Sequence, residues 1–437
     1  MIKKFNLYNK YKKVDDYGYI QEIPNEWQLL PNIAIFDERI SKGHLNEELV
    51  SVTIGRGIIR QSEIENKKDI SNEDKSNYKL VKHGDIAYNK MRMWQGAVGF
   101  SKYRGIVSPA YVVLKPKVKI NPEYYHYLFR TNYYNNYAKR FSYGLCDDQL
   151  NLRYSDFKRM YSLVPPLDTQ NKIVYFLNKK VEQAYKFIEN KEKSIQLLNE
   201  QKNVIRNNAV TQGIYSDTRL KESEIKWVGK VPEHWKIIKL KYCFSFLGGY
   251  AFSTKDFLSE GVQLIKIANL YKNSLSLERQ PTFLPESFLD RYSNYVVSKN
   301  DILMSLTGTL GKRDYGFAIL LDTEDKYLLN QRVGKLMYNK NISVDFALDL
   351  LQSYAFLNQL YELPSGTKQA NLSEDIILNI KMPIPPKEEQ IVISRYLKEK
   401  LNKLDDKINQ EEKEIKLTKD YLESIIFNTV TGQISVE

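Results

Sequence analysis

The sequence predicts an α+β protein made of two similar halves, each with a mixed α/β domain and a long helix. Three observations predict this fold: a proline-rich turn that occurs twice, a seven-residue apolar spacing after each copy, and glycine-punctuated strands before each copy. The turn from Pro165 to Gln170 recurs from Pro385 to Gln390, 220 positions further on. Both helical runs end in Val-Thr with a glycine within two residues. We therefore predict a pseudo-two-fold internal repeat.

The apolar residues after each turn form the two seam positions of a coiled coil. In the first run they are Val174, Val181, Ile188, Ile195 and Ala209 at one position, and Leu177, Ala184, Leu198 and Ile205 at the other. The second run has Leu401, Ile408, Ile415 and Leu422, with Leu397, Leu404 and Ile425. Four polar residues interrupt the seams, and we expect them to help set partner and register: Lys191, Lys202, Glu411 and Thr418.

A helix of about 43 residues spans roughly 65 Å, which is too long for the interior of one small domain. The first helix leaves domain one and reaches domain two, and the second leaves domain two. If the two pack side by side, they run antiparallel and separate the two domains. We predict two mixed α/β domains separated by two long antiparallel coiled-coil helices.

These patterns divide the chain into five segments. They are a polar lead-in at 1–22, a first α/β domain at 23–164, a helical spacer at 165–213, a second α/β domain at 214–384 with a linker at 214–230, and a second helical spacer at 385–437. Pro24-x-x-Trp27 and Pro232-x-x-Trp235 open the two domains alike, and each is expected to place a tryptophan in the local core.

Short runs rich in β-branched and aromatic residues predict the strands of both domains. In the first they are Leu49–Ile54, Asp85–Tyr88, Ala97–Phe100 and Tyr111–Leu114, and in the second Gln263–Ile267, Ile302–Ser305, Ala318–Leu321 and Val333–Met337. A helix is predicted after each set, from Pro122 through Phe141 and from Val344 to Leu363.

Smaller repeats align the two domains further. Gly84-Asp85-Ile86 matches Asn300-Asp301-Ile302, Gly96 to Gly99 matches Gly308 to Gly311, and Tyr143-Gly144 matches Ser365-Gly366. The loops between these anchors differ almost completely, since Lys90 to Gln95 stands where the second half has Leu306-Thr307. Two binding modules that recognise different targets are expected to share strands and turns and to differ in their loops.

Charge and composition point to a polyanionic partner in a reducing compartment. The 437 residues carry a formal net charge of +12 and 32 tyrosines, which favours nucleic acid although a lysine-rich surface alone does not require it. The two cysteines, Cys146 and Cys243, argue against a disulfide framework. The N-terminal residues carry charge without an apolar core behind them, and the sequence contains no run of 18 apolar residues. We expect a cytoplasmic protein.

Motifs of catalysis and metal binding are missing from the sequence. There is no phosphate-binding loop, no dinucleotide fingerprint and no Asn-Pro-Pro-aromatic motif of adenine methyltransferases. The four histidines, His44, His83, His126 and His234, lack the spacing of zinc ligands. Asp85 and Asp301 precede strands in both halves and are interpreted as turn residues, with a divalent-metal nuclease site as the alternative. We therefore predict that the chain has no catalytic residue and no metal site.

Polar and basic residues on glycine-flanked loops are the candidates for DNA contact, because backbone there can approach phosphate and side chains can reach base edges. In the first domain they are Arg56, Arg60, Gln61, Lys90, Arg92 and Gln95, with Trp94 as a stacking or wedge residue. In the second domain they are Thr307, Thr309, Lys312, Arg313, Lys368, Gln369 and Asn371, followed by Gln331 and Arg332. Arginine can pair with guanine and an amide with adenine, although phosphate contact is commoner for a single basic residue.

From Ile23 to Ile434 the chain resembles the specificity subunit of type I restriction-modification systems. The duplicated Pro-Pro-x-x-x-Gln turn with its long heptad helix carries the resemblance, together with the segments Phe246 to Phe252 and Leu264 to Leu270. It implies a non-catalytic subunit whose two target recognition domains each read one half of a split sequence in double-stranded DNA. It also implies two methyltransferase subunits that methylate adenine, and motor-nuclease (restriction) subunits. S-adenosylmethionine, ATP and Mg are expected on those partners, with no cofactor in this chain.

Apolar residues outside the seams are candidates for docking partner helices: Phe187, Leu197, Ile393 and Ile426. Packing against the recognition domains is the alternative for these residues. Two other functions stay open at this point: a stand-alone DNA-binding or interaction protein without methyltransferase partners, and a nuclease or methyltransferase with an unrecognised site.

Overall fold

The computed structural model describes residues 6–15, 17, 20–63, 74–362 and 369–436. The chain forms two compact units. Unit 1 comprises residues 1–191 and 412–437, and unit 2 comprises residues 192–411. Each unit thus joins one α/β domain to a stretch of both long helices.

The described residues up to Gln212 contain twelve strands and five α-helices. The strands are Tyr11–Lys13 (β1), Glu22–Pro24 (β2), Gln28–Pro31 (β3), Phe36–Glu38 (β4), Val50–Thr53 (β5), Gly57–Arg60 (β6), Lys79–Val81 (β7), Ile86–Asn89 (β8), Val98–Phe100 (β9), Gly105–Val107 (β10), Tyr111–Pro116 (β11) and Tyr161–Val164 (β12). The helices are Asn32–Ile35 (α1), Pro122–Leu128 (α2), Asn132–Phe141 (α3), Tyr154–Phe157 (α4) and Leu167–Gln212 (α5).

The described residues after Gln212 contain sixteen strands and five α-helices. The strands are Leu220–Glu222 (β13), Lys230–Pro232 (β14), Lys236–Lys239 (β15), Phe244–Gly248 (β16), Val262–Ile265 (β17), Leu270–Tyr271 (β18), Ser274–Leu275 (β19), Phe283–Leu284 (β20), Val296–Val297 (β21), Ile302–Ser305 (β22), Thr307–Thr309 (β23), Ala318–Leu320 (β24), Tyr327–Leu329 (β25), Val333–Tyr338 (β26), Gln369–Asn371 (β27) and Lys381–Ile384 (β28). The helices are Phe288–Arg291 (α6), Val344–Leu351 (α7), Tyr354–Glu362 (α8), Glu374–Leu378 (α9) and Lys387–Val430 (α10).

Each unit is built on a four-stranded antiparallel sheet with the same strand arrangement. The order is β4-β11-β8-β9 in unit 1 and β16-β26-β22-β24 in unit 2. Ile86 pairs with Phe100 in the first sheet as Ile302 pairs with Leu320 in the second. The strands and long helices predicted from the sequence are present, and the mixed α/β fold with an internal repeat is confirmed.

One predicted alignment of the repeat is wrong. Gly96 to Gly99 corresponds to Gly316 to Ile319, and not to Gly308 to Gly311, because β9 and β24 hold the same place beside β8 and β22. Gly96 and Gly316 both have a left-handed backbone, with φ of 82° and 75°. The second half therefore has a longer loop before this glycine than the sequence comparison allowed.

The helix predicted after each sheet is broken into two. In unit 1, α2 and α3 are separated at Thr131, and in unit 2, α7 and α8 are separated at Ser353. The Thr131 hydroxyl donates to Leu128 O and accepts from Tyr134 N, and the Ser353 hydroxyl donates to Leu350 O and accepts from Phe356 N. A hydroxyl that satisfies both helix ends favours a new start over a continuous helix. The predicted C-terminal residue of the second helix, Leu363, lies outside the described residues, as does the Ser365-Gly366 repeat.

The glutamine of each proline-rich turn fixes its long helix to its own domain. In unit 1, the Gln170 side chain donates to Pro165 O at 2.8 Å and accepts from Asn121 N at 2.8 Å. In unit 2, Gln390 donates to Pro385 O at 2.9 Å and accepts from Ser343 N at 2.8 Å. Both glutamines are completely buried. The motif is thus explained by a buried amide that binds both its own turn and the N-cap residue of an earlier helix of the same domain, α2 in unit 1 or α7 in unit 2.

The two tryptophans lie in the cores, as predicted, and each contacts the glycine that ends a long helix. Trp27 lies beside Gly432 in unit 1, and Trp235 lies beside Gly213 in unit 2. Both glycines have positive φ, of 75° and 77°, which suits the residue that terminates a helix. Each domain therefore holds the start of one long helix and the end of the other.

Within each unit the two helix stretches pack antiparallel. In unit 2, Lys202 pairs with Asp405 and Ser194 donates to Glu411. The residue number rises along α5 while that of its partner on α10 falls, so the two helices run in opposite directions. In unit 1, Lys191 pairs with Glu414 at 2.8 Å. Most apolar seam residues are buried, including Leu177, Ile188, Leu198, Leu397 and Ile408. Three of the four interrupting polar residues, Lys191, Lys202 and Glu411, have partners across the helix pair, as expected for register-setting positions.

Candidate nucleic-acid interface

Half of the candidate DNA-contacting residues fall on one equivalent loop in each unit. In unit 1 this loop joins β8 to β9 and contains Lys90, Arg92, Trp94 and Gln95. In unit 2 the loop joins β22 to β24 and contains Thr307, Thr309, Lys312 and Arg313. The two loops hold equivalent places in the repeated sheet, because each precedes the strand, β9 or β24, that pairs with β8 or β22. We call these the reading loops, residues 90–97 and 306–317.

The reading loop of unit 1 is a short turn with a partly sheltered tryptophan. Arg92 and Gln95 are exposed, and Lys90 is half-buried. The Trp94 indole donates to Met91 O at 3.1 Å, and the Lys139 ammonium lies 4.9 Å from the ring centroid. Trp94 is therefore held by its own loop and by α3. A base could stack only on the part of the indole ring that is still exposed.

A second unit 1 element carries the other candidates. The β5–β6 hairpin has Arg56 in its turn and Arg60 and Gln61 at its end. Arg56 and Arg60 are exposed. The Arg60 guanidinium lies 4.8 Å from the Tyr103 ring centroid and 3.4 Å from Glu48, while Gln61 accepts a hydrogen bond from Ser51. Arg56 donates from its backbone N to Thr53 Oγ1 at 3.1 Å and from its guanidinium to Glu63 O at 3.4 Å.

The hairpin turn is supported from below by two residues of the α2 region. The Arg130 guanidinium donates to Ile54 O at 2.7 Å and to Gly55 O, and also contacts the His126 ring. His126 lies against Gly57, where a Cβ atom would come within 2.8 Å of its ring. Burial, with Arg130 nearby as a smaller cause, lowers the pKa of His126 to about 3. The imidazole is thus neutral at physiological pH.

The reading loop of unit 2 forms a two-stranded ribbon. β23 pairs with β27, so Thr307 lies opposite Asn371 and Thr309 opposite Gln369. Directly opposed residues, and residues two apart on one strand, share a face of a ribbon, so these four side chains lie on one face. The other face packs inward through Ala370, which is completely buried. Four candidates from distant parts of the sequence are thereby brought together.

The remaining unit 2 candidates lie around this ribbon or outside the described residues. Lys312 and Arg313 are exposed, and the Arg313 guanidinium lies 5.3 Å from the Tyr361 ring centroid. Gln331 and Arg332 are exposed at the start of β26, where Arg332 O accepts from Leu306 N. Lys368 lies outside the described residues.

Sequence reasoning missed the unit 1 counterpart of β27. Gln149-Leu150-Asn151-Leu152 lies 220 positions before Gln369-Ala370-Asn371-Leu372, which is the offset of the long helices. The backbone agrees, because Leu152 N donates to Lys90 O and Leu372 N donates to Leu306 O, both at 2.8 Å. Extending the 220-residue comparison upstream of the proline-rich turn would have identified Gln149 and Asn151.

The two carboxylates considered for a nuclease site are turn residues bound to basic side chains. Asp85 accepts from Lys82 N and makes a two-bond ion pair with Arg39, at 2.7 and 2.9 Å. Asp301 accepts from Ser298 N and pairs with Lys335 at 2.8 Å. Over the described ranges, no group of three or more histidine, cysteine or acidic residues is arranged to hold a metal ion.

The candidate partner residues differ in accessibility. Phe187 and Leu197 are exposed on α5, with 40% and 64% of their surface accessible, and Ile426 is half-buried against the unit 1 core. Ile393 is completely buried in the unit 2 core beside Leu397. We therefore exclude Ile393 from the partner surface, since its position outside the heptad seam reflects packing against the domain.

Two α/β domains on a shared plan, each carrying a stretch of two antiparallel helices and a different polar loop, define a protein with two recognition modules. Residues 232–417 match the family described as the type I restriction modification DNA specificity domain. The specificity subunit of the type I restriction enzyme MjaVIII from Methanocaldococcus jannaschii is 28% identical over 365 residues, covering 82% of this chain and 81% of the relative. A putative MjaX specificity subunit from the same organism is 25% identical, covering 100% and 99%.

Solved structures agree on the fold. A chain from a structure described as the basis of complex assembly and conformational transition of the type I R-M system matches with a TM-score of 0.69 at 12% identity, covering 94% of this chain and 99% of that one. The HsdS subunit from Thermoanaerobacter tengcongensis matches with a TM-score of 0.51 at 13% identity, covering 95% and 99%. Residues 232–417 thus resemble the type I specificity domain, and over nearly its whole length the chain is similar to specificity subunits of type I restriction-modification systems. Among the described residues, no helix is long and apolar enough to span a bilayer.

Proposed function

We propose that this chain is the DNA-reading subunit of a cytoplasmic type I restriction-modification complex and recognises a split target in double-stranded DNA. The observation that carries this proposal is the repeated sheet with two unlike reading loops. Unit 1 presents Arg92 and Gln95 on a short turn, whereas unit 2 presents Thr307 and Thr309 on a ribbon with Lys312 and Arg313 beside it. Domains with the same backbone plan and different outward side chains are suited to two different half-sites.

The chain itself is proposed to be non-catalytic. Its duplicated carboxylates, Asp85 and Asp301, are engaged by Arg39 and Lys335, which leaves them poorly suited to bind a catalytic cation. Adenine methylation would come from two methyltransferase subunits that carry S-adenosylmethionine, and cleavage from restriction subunits that use ATP and Mg. By analogy with other base-modifying enzymes, the adenine would be extruded into the methyltransferase pocket.

The decisive test is single-molecule methylation sequencing of DNA from cells that express this chain with its methyltransferase, beside cells that lack only this chain. We expect adenine methylation at one split motif to disappear in the deletion. If the pattern persists while the methyltransferase is active, the chain is not its specificity subunit. A stand-alone DNA-binding protein would then be the better account, and tight specific binding by the isolated chain would support it.

Exchange of residues 23–164 with the same domain of another specificity subunit tests the assignment of the half-sites. The expected product methylates a hybrid motif in which only the first half-site has changed. An unchanged first half-site would contradict the assignment. Because Gln170 and Trp27 hold helix ends in unit 1, the donor domain should retain the glutamine-binding N-cap and the tryptophan.

Exposed apolar residues on the long helices are the proposed methyltransferase-docking sites. Leu197 and Leu417 are equivalent at the 220-residue offset, and 64% and 56% of their surfaces are accessible. Two equivalent sites suit two identical partner subunits. Leu197→Glu and Leu417→Glu should each reduce co-purification of the methyltransferase, whereas Asn190→Glu, at an exposed polar position of α5, should not. Unchanged stoichiometry in both leucine variants would exclude this surface.

A further inference from the structure

The two reading loops differ, but each is flanked by the same pair of amides. Gln149 and Asn151 lie in unit 1, and Gln369 and Asn371 lie in unit 2, as the two members of a repeated Gln-x-Asn-Leu segment. We call these four residues the paired amides. Both segments are fixed to the first residue of the reading loop by the Leu N–H bond to Lys90 O or Leu306 O.

Folding explains the leucines of this segment but not its glutamines. Leu152 and Leu372 are buried, and the residues between the amides, Leu150 and Ala370, are buried as well. By contrast Gln149 and Gln369 are exposed. Neither glutamine side chain hydrogen-bonds to any part of the chain that the structure describes. An exposed side chain without a local partner contributes little to stability, so identity at this position in both units needs another cause.

The asparagines strengthen the case for an external partner. Asn371 is exposed on the outward face of the β23–β27 ribbon, opposite Thr307. Asn151 has its backbone paired with Tyr143, while its Oδ1 atom is buried and has no hydrogen-bond partner among the residues described. A phosphate oxygen is also an acceptor, so the contact that we assign to Asn151 uses its amide NH₂ group and not this oxygen.

The two units are proposed to read different bases, so a feature that both retain should serve what both half-sites share. Every half-site has the same sugar–phosphate backbone. Asparagine and glutamine side chains are common donors to phosphate and sugar oxygens. The position also suits such a contact, because the paired amides lie beside the loops that carry Arg92 in unit 1 and Lys312 and Arg313 in unit 2.

We propose that the paired amides bind the DNA backbone at each half-site, independently of sequence, and orient the adjacent reading loop over the bases. This proposal rests on the proposed DNA-reading function. It assigns Gln369 and Asn371 to backbone contact instead of adenine recognition, and it adds Gln149 and Asn151 as their counterparts. Specificity is thereby left to the side chains in which the two reading loops differ.

The test uses the full chain in complex with its methyltransferase, after the methylated motif has been determined. Two double variants, Gln149→Ala with Asn151→Ala and Gln369→Ala with Asn371→Ala, are compared by fluorescence anisotropy on three duplexes: one with both half-sites, one with a single half-site and one with neither. Each double variant should weaken binding roughly tenfold or more, by the same factor on all three duplexes, because each removes hydrogen bonds to charged phosphate groups that every duplex has. The methylated motif should not change.

Other results would overturn the proposal in distinguishable ways. A loss confined to duplexes with the matching half-site, or a relaxed motif, would make the amides base readers. Unchanged DNA binding with weaker methyltransferase co-purification would assign them to a protein contact. No change in either would show that they are not an interaction site. If the wild-type complex itself recognised no split motif, the proposed function would fail instead, before the variants are considered.

Charge variants give a second readout that does not depend on removing a side chain. Gln369→Lys should tighten binding and steepen the dependence of log K on log salt by about 0.9, because one more counterion is released. Gln369→Glu should weaken binding on every duplex. Asn294, an exposed amide in the turn before β21, serves as the matched control, and Asn294→Lys should leave the salt slope unchanged. Equal slopes for Gln369→Lys and wild type would contradict backbone contact.

Discussion

Units 1 and 2 agree where they hold the long helices and differ where they face outward. Gln170 and Gln390 each bind the turn and the N-cap residue of their own unit in the same way. Trp27 and Trp235 each contact the glycine that ends a long helix. The reading loops share the backbone contacts of their first residue, Lys90 or Leu306, and a left-handed glycine near their end, Gly96 or Gly316, but their outward side chains differ. A repeated fold thus separates residues that fix geometry from residues that carry specificity.

The comparison extends to the electrostatics of the two domains. In unit 1, His126 supports the β5–β6 hairpin, and burial lowers the pKa of this histidine to about 3. Unit 2 attaches α7 to α5 through Arg206 and Asp349, 3.2 Å apart, and burial raises the pKa of Asp349 to about 6 in spite of the arginine. Unit 2 retains no histidine at this place in the fold. His126 and Asp349 should therefore contribute to the acid response of their units with opposite signs.

The largest expected effect comes from the tryptophans. Trp27→Ala and Trp235→Ala should each lower the free energy of unfolding of their own unit by about 3–5 kcal/mol, because each removes a completely buried indole and leaves a cavity. Hydrogen exchange followed by mass spectrometry reads each unit separately. Trp227→Ala is the control, since Trp227 is 37% exposed and should cost far less. Very unequal losses for Trp27 and Trp235 would contradict the equivalence of the two units.

The glutamines of the proline-rich turns come next. Gln170→Ala and Gln390→Ala each remove a buried amide and leave a half-buried N–H, of Asn121 or Ser343, without its acceptor, so a loss of about 2–4 kcal/mol is expected in the corresponding unit. The start of α5 or α10 should also exchange faster. Gln196→Ala, on the exposed face of α5, should change stability by less than about 0.5 kcal/mol. Faster exchange in the opposite unit would show that each turn does not act locally.

Acidification should destabilise unit 1 through His126. The unfolded chain takes up a proton near pH 6.5, whereas the folded ring resists protonation down to about pH 3. This contribution to stability is therefore present above pH 6.5 and falls by about 2 kcal/mol by pH 5, at up to about 1.4 kcal/mol per pH unit. His126→Gln should remove this part of the pH dependence in exchange of the β5–β6 hairpin. His83→Gln, at an exposed histidine, should retain it.

The residues that hold the helices were the most predictable part of the molecule. Pro165, Gln170 and their counterparts keep one spacing because a buried hydrogen-bond network tolerates no insertion between them. The broken helices were not predicted, because the amphipathic pattern continues through Thr131 and Ser353 and only the hydroxyl bonds show the break. The sequence comparison also placed Gly308 in the position that Gly316 occupies, since glycine alone does not reveal which turn needs a positive φ.

The candidate interface was predictable by residue type but not by arrangement. Basic and amide residues on glycine-flanked loops were found from the sequence, and the structure gathers several of them on equivalent loops. The pairing of Thr307 and Thr309 with Asn371 and Gln369 depends on a strand pair that spans more than sixty residues, which no local pattern indicates. Gln149 was missed because it follows an acidic turn and lacks basic neighbours. It lies 220 positions before Gln369, however, and this is the offset of the two proline-rich turns.

The smallest expected effect, opposite in sign, concerns Asp349 in unit 2. The folded carboxyl binds its proton near pH 6 and the unfolded one near 3.8, so between these values the folded unit holds the extra proton. Stability from this group therefore rises as the pH falls through 6, by about 1.4 kcal/mol at pH 5. The nearby Asp345 adds a smaller upward shift, and Arg206 opposes it. Asp349→Asn should abolish the gain in hydrogen exchange of α7, while Asp375→Asn, at an exposed carboxylate, should not. If α7 instead lost protection on acidification in the wild type, the Arg206 ion pair would outweigh burial, and the two units would not differ in the sign of their response.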